Sequence, residues 1–286
     1  MRPIATALAL TSSFFLGGCE ALTQLTGDLI NQLEKPSASI SGVSFQDFSL
    51  ADVTMLFDVD VENPYTAALP LADLTYGLSS GGQNLLSGAA DISGTIPASG
   101  SRTLQVPAKV TFQSLLDLLS NVRPGSLVPY EANLGLSLDN PMGGDAINLP
   151  VSHQGELPIP TIPDVSVGGI RVEDLSLSNA NLVLDLDVGN TNEFALDLLG
   201  FDYGFSLAGA KVASSTLKKG ASFEPGGSNR LEIPLSFSPK NLGLAVFNVL
   251  SGKGADYSLI GNMEADTPFG RIDLPINSAG NAPLVR

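Results

Sequence analysis

The chain has 286 residues with 29 acidic and 14 basic side chains, which gives a formal net charge of −15. Such an acidic surface disfavours nucleic acid as a partner, because phosphate contacts need lysine and arginine side chains. Hydrophobic residues make up 43% of the chain, which is typical of a folded protein and excludes a wholly hydrophilic, disordered one.

The first predicted element is an apolar run at residues 4–16, which follows Arg2 and ends in Leu16-Gly17-Gly18-Cys19. This run is too short for a membrane-spanning helix and is typical of a secretory signal peptide. Small residues before a cysteine resemble a bacterial lipobox, in which the signal is removed and the cysteine is acylated. We predict a lipoprotein signal peptide at residues 1–18 and lipidation of Cys19. An ordinary signal peptide with a chance cysteine is the alternative.

The cysteine count and the flanking residues agree with an anchored protein. Cys19 is the only cysteine, so an exported chain has no disulfide to form. Glu20 stands where an inner-membrane retention signal has aspartate, which favours an outer-membrane lipoprotein of the bacterial cell envelope that faces the periplasm. Removing residues 1–18, whose only charge is Arg2, brings the formal charge to −16 and disfavours docking on anionic headgroups.

Residues 19–40 are predicted to be the lipidated cysteine and a tether. An amphipathic helix is the alternative, since leucines recur there at helical spacing. These leucines are Leu22, Leu25, Leu29 and Leu33.

The rest of the chain repeats itself at a constant spacing of 127 residues, which carries Asn63 to Asn190 and Tyr76 to Tyr203. The register holds without a gap as far as Gly143 and Gly270, where a two-residue slip appears. An ungapped register of about 100 residues has the size of one domain and is too long for a solenoid repeat. We therefore predict a duplicated domain, with copies at residues 41–158 and 167–286. The proline-rich linker at 159–166 is expected to be an extended, semi-rigid spacer.

Within each copy, apolar and polar residues alternate with the period of a half-buried strand. In residues 55–62 the apolar residues point one way and Asp58 and Asp60 the other, and Asp185 and Asp187 repeat this in copy two. Further strands are predicted at residues 74–78, 83–87, 89–96, 102–110 and 130–138. This spacing predicts an all-β chain of two tandem antiparallel β-sandwiches of the immunoglobulin or fibronectin-III kind, with seven strands each.

One short helix is predicted in each sandwich, where it is expected to close one end. In copy one, apolar residues recur at helical spacing over residues 112–122, between Thr111 as N-cap and Pro124-Gly125 as terminator. In copy two, Ser238 is the predicted N-cap and Pro239 the first helical residue of a helix that ends before Gly252.

Copy one contains Asn63-Pro64, Leu69-Pro70, Tyr76-Gly77 and Gly88 in this order. With these motifs it resembles the water stress and hypersensitive response (WHy) domain of the late embryogenesis abundant type 2 proteins. Copy two keeps Asn190, Leu196, Tyr203 and Gly204 but has Thr191 and Asp197 in place of the two prolines.

These motif residues have structural roles in our interpretation. Asn63 can bond to nearby backbone in a turn in which Pro64 fixes the next φ, so the loss of this proline in copy two puts the turn geometry there in doubt. Tyr76 and Tyr203 are expected to be half-buried packing residues with their hydroxyls at the rim.

The resemblance implies a folded β-sandwich, found in plants, archaea and bacteria and linked to desiccation, cold and osmotic stress. It implies shielding of client proteins or membranes without a reaction. Membrane-anchored relatives imply an alternative, the binding or transfer of lipid. The pocket for this lipid would be a gap between the two sheets under the helix. A third hypothesis is an envelope scaffold that docks a partner through strand edges.

No pattern in the sequence predicts a catalytic residue, a metal or a cofactor. His153 is the only histidine and is expected in an exposed loop near Gly155, and copy two has Ser278 in its place, which disfavours a Ser-His-Asp relay. The aspartate pairs at 58/60 and 185/187 could bind calcium only if a loop supplied more oxygens. On a wet strand face they favour solubility and edge protection instead. The predicted partners are a membrane, through the anchor, and client proteins or lipids.

Overall fold

The computed structural model describes residues 34–285 apart from 142, 219 and 253. The predicted signal peptide, its lipobox residues Leu16, Gly17 and Gly18, the lipidation site Cys19 and most of the tether lie outside the described residues. Within the described part, none of the helices has the length and apolar character needed to cross a membrane.

The first copy folds into two antiparallel sheets. One sheet contains β1 (Ser37–Gln46), β2 (Asp52–Asn63) and β6 (Gly100–Thr111), in the order β1-β2-β6. The other contains β3 (Leu69–Ser80), β4 (Gln83–Asp91), β7 (Leu127–Leu138) and β8 (Ile147–Pro158), in the order β4-β3-β7-β8, and the short β5 (Thr95–Ile96) also pairs with β3.

The predicted alternation places the core of this sandwich. On β2, the side chains of Met55, Phe57 and Val59 are buried between the sheets, whereas Asp58 and Asp60 face outward. The antiparallel pairing of β2 with β6 is regular over the whole of both strands. The alternation of buried and outward-facing side chains therefore continues from β2 into β6. Each buried apolar side chain of this size contributes about 1.5–3 kcal/mol to stability.

The second copy repeats this strand order. Its strands are β9 (Asp164–Leu175), β10 (Ala180–Gly189), β11 (Leu196–Leu207), β12 (Ala210–Leu217), β13 (Ala221–Phe223), β14 (Ser228–Phe237), β15 (Gly254–Thr267) and β16 (Gly270–Val285). The sheets pair in the order β12-β11-β15-β16-β9-β10-β14, with β13 on β11. The all-β, tandem-sandwich prediction is confirmed, with eight strands in each domain once the short β5 and β13 are included.

The two domains differ at one edge and at one turn. In the second domain, β16 pairs with β9 in parallel at Leu284 and Val285, which joins the two sheets. In the described part of the first domain, the matching strands β1 and β8 lie side by side without a ladder. The two-residue slip in the repeat falls at a turn, because β7 and β8 are joined by residues 139–146 whereas β15 and β16 are joined by Pro268-Phe269.

The helices are shorter than predicted. Helix α1 (Phe112–Leu118) ends early because the backbone of Leu119 is extended, and it contacts β4 and β6. Thr111 occupies the N-cap position without a side-chain capping bond. The prediction of a single helix in copy two is wrong. A 3₁₀ turn at Pro239–Asn241 and helix α2 (Leu244–Leu250) are separated at Gly243, whose φ of +97° interrupts the helix.

The predicted break between residues 83–87 and 89–96 is also wrong. Gly88 lies inside β4, where it pairs with Tyr76 of β3. A Cβ atom at Gly88 would overlap the Tyr76 ring, so the glycine leaves room for a cross-strand aromatic and does not end the strand.

Candidate functional site

Asn63, the first residue of the motif, is buried and holds a turn closed. Its Nδ2 donates to the carbonyls of Ala67 at 2.8 Å, Pro97 at 2.9 Å and Ile96 at 3.4 Å. Its Oδ1 accepts from the backbone N–H of Tyr65 at 2.9 Å. The side chain therefore ties the turn after β2 to the segment around β5, at a point where water is excluded.

Asn190 makes the same set of bonds in the second domain. Its Nδ2 donates to the carbonyls of Phe194 at 2.8 Å, Phe223 at 3.0 Å and Glu224 at 3.2 Å, and its Oδ1 accepts from the N–H of Asn192 at 3.0 Å. Every partner lies 127 residues after its counterpart in the first domain. The turn therefore keeps its hydrogen bonds although threonine replaces the proline that follows this asparagine. We call each of these two arrangements an asparagine clamp.

The leucines of the motif pair with the short strands to which the clamps are bonded. Leu69 and Leu196 are fully buried, and they pair across the sheet with Ile96 and Phe223. Each asparagine therefore donates hydrogen bonds to the short strand that pairs with the leucine. Pro70 adds a further tie, because its carbonyl accepts a hydrogen bond from Asp139 N–H at 3.0 Å.

The tyrosines and glycines of the motif are packing residues in the structure. Tyr76 is half-buried over Gly88, whereas Tyr203 is buried and its hydroxyl bonds to Ser215, the equivalent of Gly88. Burial raises the pKa of Tyr203, and the bond to Ser215 partly opposes this. The residues that follow, Gly77 and Gly204, lie in the same strands, and a Cβ atom at either would approach a backbone carbonyl only to ordinary contact distance.

The second clamp also belongs to a contact between the two domains. Phe45 and Phe48 of the first domain contact Phe269 and Phe194 of the second, and Phe112 packs behind Phe48 within the first domain. Ring centroids are 6.5 Å apart for Phe112–Phe48 and for Phe48–Phe194, and 5.4 Å apart for Phe194–Phe269 and for Phe269–Phe45. The chain of mostly edge-to-face contacts gives the domains a specific apolar interface.

Polar groups close the rim of this interface. Glu193 N–H donates to the carbonyl of Gly125 at 2.7 Å, and the Glu193 carboxylate accepts from Leu127 N–H at 3.0 Å and pairs with Arg123 at 2.9 Å. The ion pair is largely exposed and contributes little by itself. The backbone bonds fix the position of the loop at residues 190–194 against the first domain.

The linker is part of the same interface. Thr161 bonds through both its N–H and its carbonyl to the side chain of Asn192, at 2.8 and 3.1 Å. Ile159 is buried and bonds through its carbonyl to Gly125 N–H at 2.7 Å. Gly125 has a φ of +91°, and a Cβ there would lie 2.8 Å from the Thr191 carbonyl, so the close approach needs glycine. The predicted spacer is thus held against both domains. We call these aromatic, rim and linker contacts the junction.

Sequence reasoning did not identify the junction. Its anchors in the second domain are Asn192 and Phe194, where the first domain has Tyr65 and Ala67, together with Phe269 in the β15–β16 turn. The available signal was the gain of large or amide side chains at positions where the two copies differ. Such positions differ between the two copies and therefore belong to no shared motif.

A groove of about 630 Å³ lies beside α1 in the first domain. It is bounded by the C-terminal end of α1, the β3–β4 turn at Gly81-Gly82 and the start of β7, and its most exposed apolar residue is Leu118. Other apolar residues that line it are Leu119, Val122, Leu127, Val128 and Pro129. Val128 is the one buried core residue in its lining, and Glu193 of the second domain also borders it.

The aspartate pairs are engaged with side chains of the chain itself. Asp58 accepts from Gln105 at 2.9 Å, and a hydrogen bond from Thr103, with a second from Ser41, lowers the pKa of Asp60. In copy two, the pairs are Asp185 with Arg171 at 3.1 Å and Asp187 with Arg230 at 2.8 Å. Among the residues that the structure describes, no group of three histidine, cysteine or acidic side chains is placed to hold a metal ion.

His153 lies in β8 and not in a loop, with its ring centroid 6.2 Å from that of Tyr130. Tyr130 packs closely over Gly155 on the same strand pair. In the second domain the equivalent Tyr257 hydroxyl lies 3.2 Å from Ser278 and accepts from Val167 N–H at 3.2 Å. The histidine therefore occupies a packing position beside a tyrosine.

We expect Tyr130 to make the fold sensitive to high pH. Burial raises the pKa of Tyr130 from 10.0 to about 12. The unfolded chain therefore loses this proton first, and stability falls as the pH rises from about 10 to about 12. Between pH 10 and 11, Tyr130→Phe should lose about 1 kcal/mol less free energy of unfolding than the unmodified protein. Urea unfolding across this range measures the difference, and equal losses in both proteins would contradict it.

Comparisons with known proteins identify a family and relatives that share this domain. A family profile described as late embryogenesis abundant protein matches residues 58–155 and 185–280. The chain is 33% identical over 138 residues to late embryogenesis abundant protein Lea14-A of Gossypium hirsutum, and the match covers 48% of this chain and 91% of that protein. It is 34% identical over 136 residues to the desiccation protectant protein Lea14 homolog of Glycine max, which covers 48% and 89%. A solution structure from Arabidopsis thaliana is 29% identical and covers 46% of this chain and 87% of that one, with a TM-score of 0.38.

Each of the two relatives is matched over most of its own length by about half of this chain. This is the relation expected between a single-domain protein and a chain with two copies of that domain. Each of the two matched ranges also contains one asparagine clamp. The chain therefore belongs to the late embryogenesis abundant type 2 family and carries two copies of the family's domain.

Proposed function

We propose that this protein protects other macromolecules during drying or osmotic stress by binding them, without catalysing a reaction. The observation that carries the proposal is the 34% identity to a desiccation protectant protein of Glycine max over 89% of that protein's length. The acidic surface supports it, because a formal charge of −15 keeps a protein that binds apolar surfaces soluble and dispersed.

The junction supports a two-domain unit as the acting species. Backbone hydrogen bonds join residues 125, 159 and 193, so the two sandwiches present their surfaces in a fixed relation. A fixed pair of sites gains apparent affinity for a partner that spans both, because the second contact is then intramolecular.

The proposed location is the bacterial envelope. Cys19 would carry the lipid anchor, after removal of residues 1–18 at the lipobox Leu16-Gly17-Gly18, and residues 19–40 would tether the domains on the periplasmic side of the outer membrane. The support is the lone cysteine directly after two glycines and an apolar run. Metabolic labelling of cells with radioactive palmitate tests this part, with Cys19→Ser as the control. The anchor proposal expects label in the unmodified protein and none in the variant, and absence of label from the unmodified protein would contradict it.

Protection is tested by drying a labile enzyme such as lactate dehydrogenase with the purified protein and rehydrating it. The proposal expects more recovered activity than with an equal mass of serum albumin. Equal recovery would contradict it.

A second candidate function is lipid binding, and the observation that favours it is the groove of about 630 Å³ beside α1. Its volume lies in the range of small-molecule sites, and its lining includes five apolar residues besides the exposed Leu118. Native mass spectrometry of the protein purified from a bacterial envelope tests it. An added mass that is released as lipid would favour this function, and the mass of the polypeptide alone would count against it.

A further inference from the structure

The outer end of the second domain, which points away from the junction, exposes an apolar surface. Leu177, at the tip of the β9–β10 hairpin, is 50% exposed. Its carbonyl accepts a hydrogen bond from Lys240 N–H at 3.0 Å, which joins the hairpin to the 3₁₀ turn. Helix α2 follows, and Asn248 is the one polar residue in its sequence. Phe247 and Val249 of this helix are half-buried.

The internal repeat indicates how this fold uses that end. Leu177 is the equivalent of Leu50, and the neighbouring Leu175 is the equivalent of Phe48. In the first domain, Phe48 packs against Phe194 of the second domain. The hairpin end of one domain is therefore the surface on which the next domain docks, and in the second domain no other part of the described chain covers it.

We propose that the outer end, formed by Leu175, Leu177, Leu242, Phe247 and Val249, docks aliphatic segments of partly unfolded polypeptides. The proposal rests on the protective function above and assigns the surface and the partner class. Leu177 is the exposed residue of this set, and the other four are half-buried, with Leu175, Leu242 and Val249 also packed against the core. Covering so small an apolar surface gives a weak, reversible contact, which suits transient shielding.

Charge and side-chain chemistry select this partner over the alternatives. Arg123, which pairs with Glu193 in the junction, is replaced at the outer end by the buried Leu250, so the surface offers no ionic partner at that position. A second copy of the chain would present Tyr65 and Ala67 there, which lack the Phe194 ring that anchors the junction. The formal charge of −15 also opposes self-association and contact with anionic lipid.

The test compares Leu177→Ser and Leu177→Lys with Ile260→Ser. Ile260 is 60% exposed on the outer face of β15 in the same domain, so it controls for the loss of any exposed aliphatic side chain. The probe is hen lysozyme that has been reduced and carboxamidomethylated, which keeps it permanently unfolded. Binding is measured by fluorescence anisotropy in about 0.3 M sodium chloride, which screens exposed charges.

The proposal expects the affinity for the probe to fall about fivefold or more in both Leu177 variants and to stay within about twofold in Ile260→Ser. Because Leu177 is exposed, we expect unchanged thermal unfolding. Hydrogen exchange of the unmodified protein provides a second measurement, and the probe should slow exchange at residues 175–179 and 239–250. The proposal is overturned by no binding of the probe, by equal losses in all three variants, or by self-association that Leu177→Ser abolishes.

The same variants separate this proposal from the protective function. If the unmodified protein binds the probe through Leu177 but gives dried lactate dehydrogenase no protection, the docking surface stands and the protective function fails. If Leu177→Ser binds and protects as well as the unmodified protein, the protective function stands and the docking surface fails.

Discussion

Replacing Asn190 or Asn63 by aspartate should destabilise the domain that contains it by about 3–5 kcal/mol. The substitution keeps the shape of the side chain but removes the Nδ2 donor, so three carbonyl oxygens lose a hydrogen bond in a buried site. The new carboxylate would also face those oxygens. A buried acceptor without a partner costs about 1–3 kcal/mol, and an unpaired buried charge costs more.

The pH dependence of this effect provides an internal check. Carbonyl oxygens around an aspartate disfavour its charged form, so the pKa of the new carboxyl is raised in the folded state. The destabilisation should therefore be full at neutral pH and should lessen as the pH falls through that raised pKa. Asn121→Asp is the matched control. Asn121 is exposed, and it accepts a bond from Ser120 through Oδ1, which the aspartate keeps.

The experiment is urea unfolding of each variant at neutral and at acidic pH. We expect the control to change the free energy of unfolding by less than about 0.5 kcal/mol. If Asn190→Asp and Asn121→Asp cost the same, the clamp is not what holds the turn.

Phe194→Ala should cost about 3–5 kcal/mol and should also uncouple the domains. The ring of Phe194 is 4% exposed and contacts Phe48 on one side and Phe269 on the other, so it is central to the junction. The backbone carbonyl that the second clamp uses remains in alanine. The first domain has alanine at the equivalent position, Ala67, and its clamp is intact, so the loop itself tolerates the change.

Two readouts separate uncoupling from simple destabilisation. Differential scanning calorimetry should resolve two unfolding transitions in Phe194→Ala where the unmodified protein has one. Small-angle X-ray scattering should give a larger maximum dimension for the variant. Arg123→Gln, which removes the exposed ion pair at the rim, is the control and should do neither. One cooperative transition in both variants would mean that the aromatic contacts do not couple the domains.

The fold could be predicted from the sequence because the alternation along each strand is a local pattern and the whole domain is repeated. Alternation along residues 55–62 places one face of β2 in the core, and the internal repeat predicts a second sandwich with the same strands. The Asn63 clamp was partly predictable, since an asparagine before a proline at a strand end favours a bonded turn. Its distant acceptors, Ile96 and Pro97, were not, because their position depends on the pairing of β5 with β3.

Sequence patterns did not predict the junction or the break in the helix of the second domain. In the sequence, Phe194 and Phe269 are ordinary apolar residues. The tertiary fold brings them into contact although they lie in loops 75 residues apart. The apolar stripe around residues 242–250 has helical spacing, but the positive φ of Gly243 divides it. A single glycine has several allowed conformations, and only the surrounding contacts select one.

We expect this protein to keep partly unfolded partners apart by binding them, and light scattering from rehydrated citrate synthase measures this effect. Citrate synthase would be dried alone, with the purified protein, and with an equal mass of serum albumin. We expect the protein to suppress the scattering at a near-equimolar ratio, and albumin to do so far less. Equal scattering with the protein and with albumin would contradict the claim.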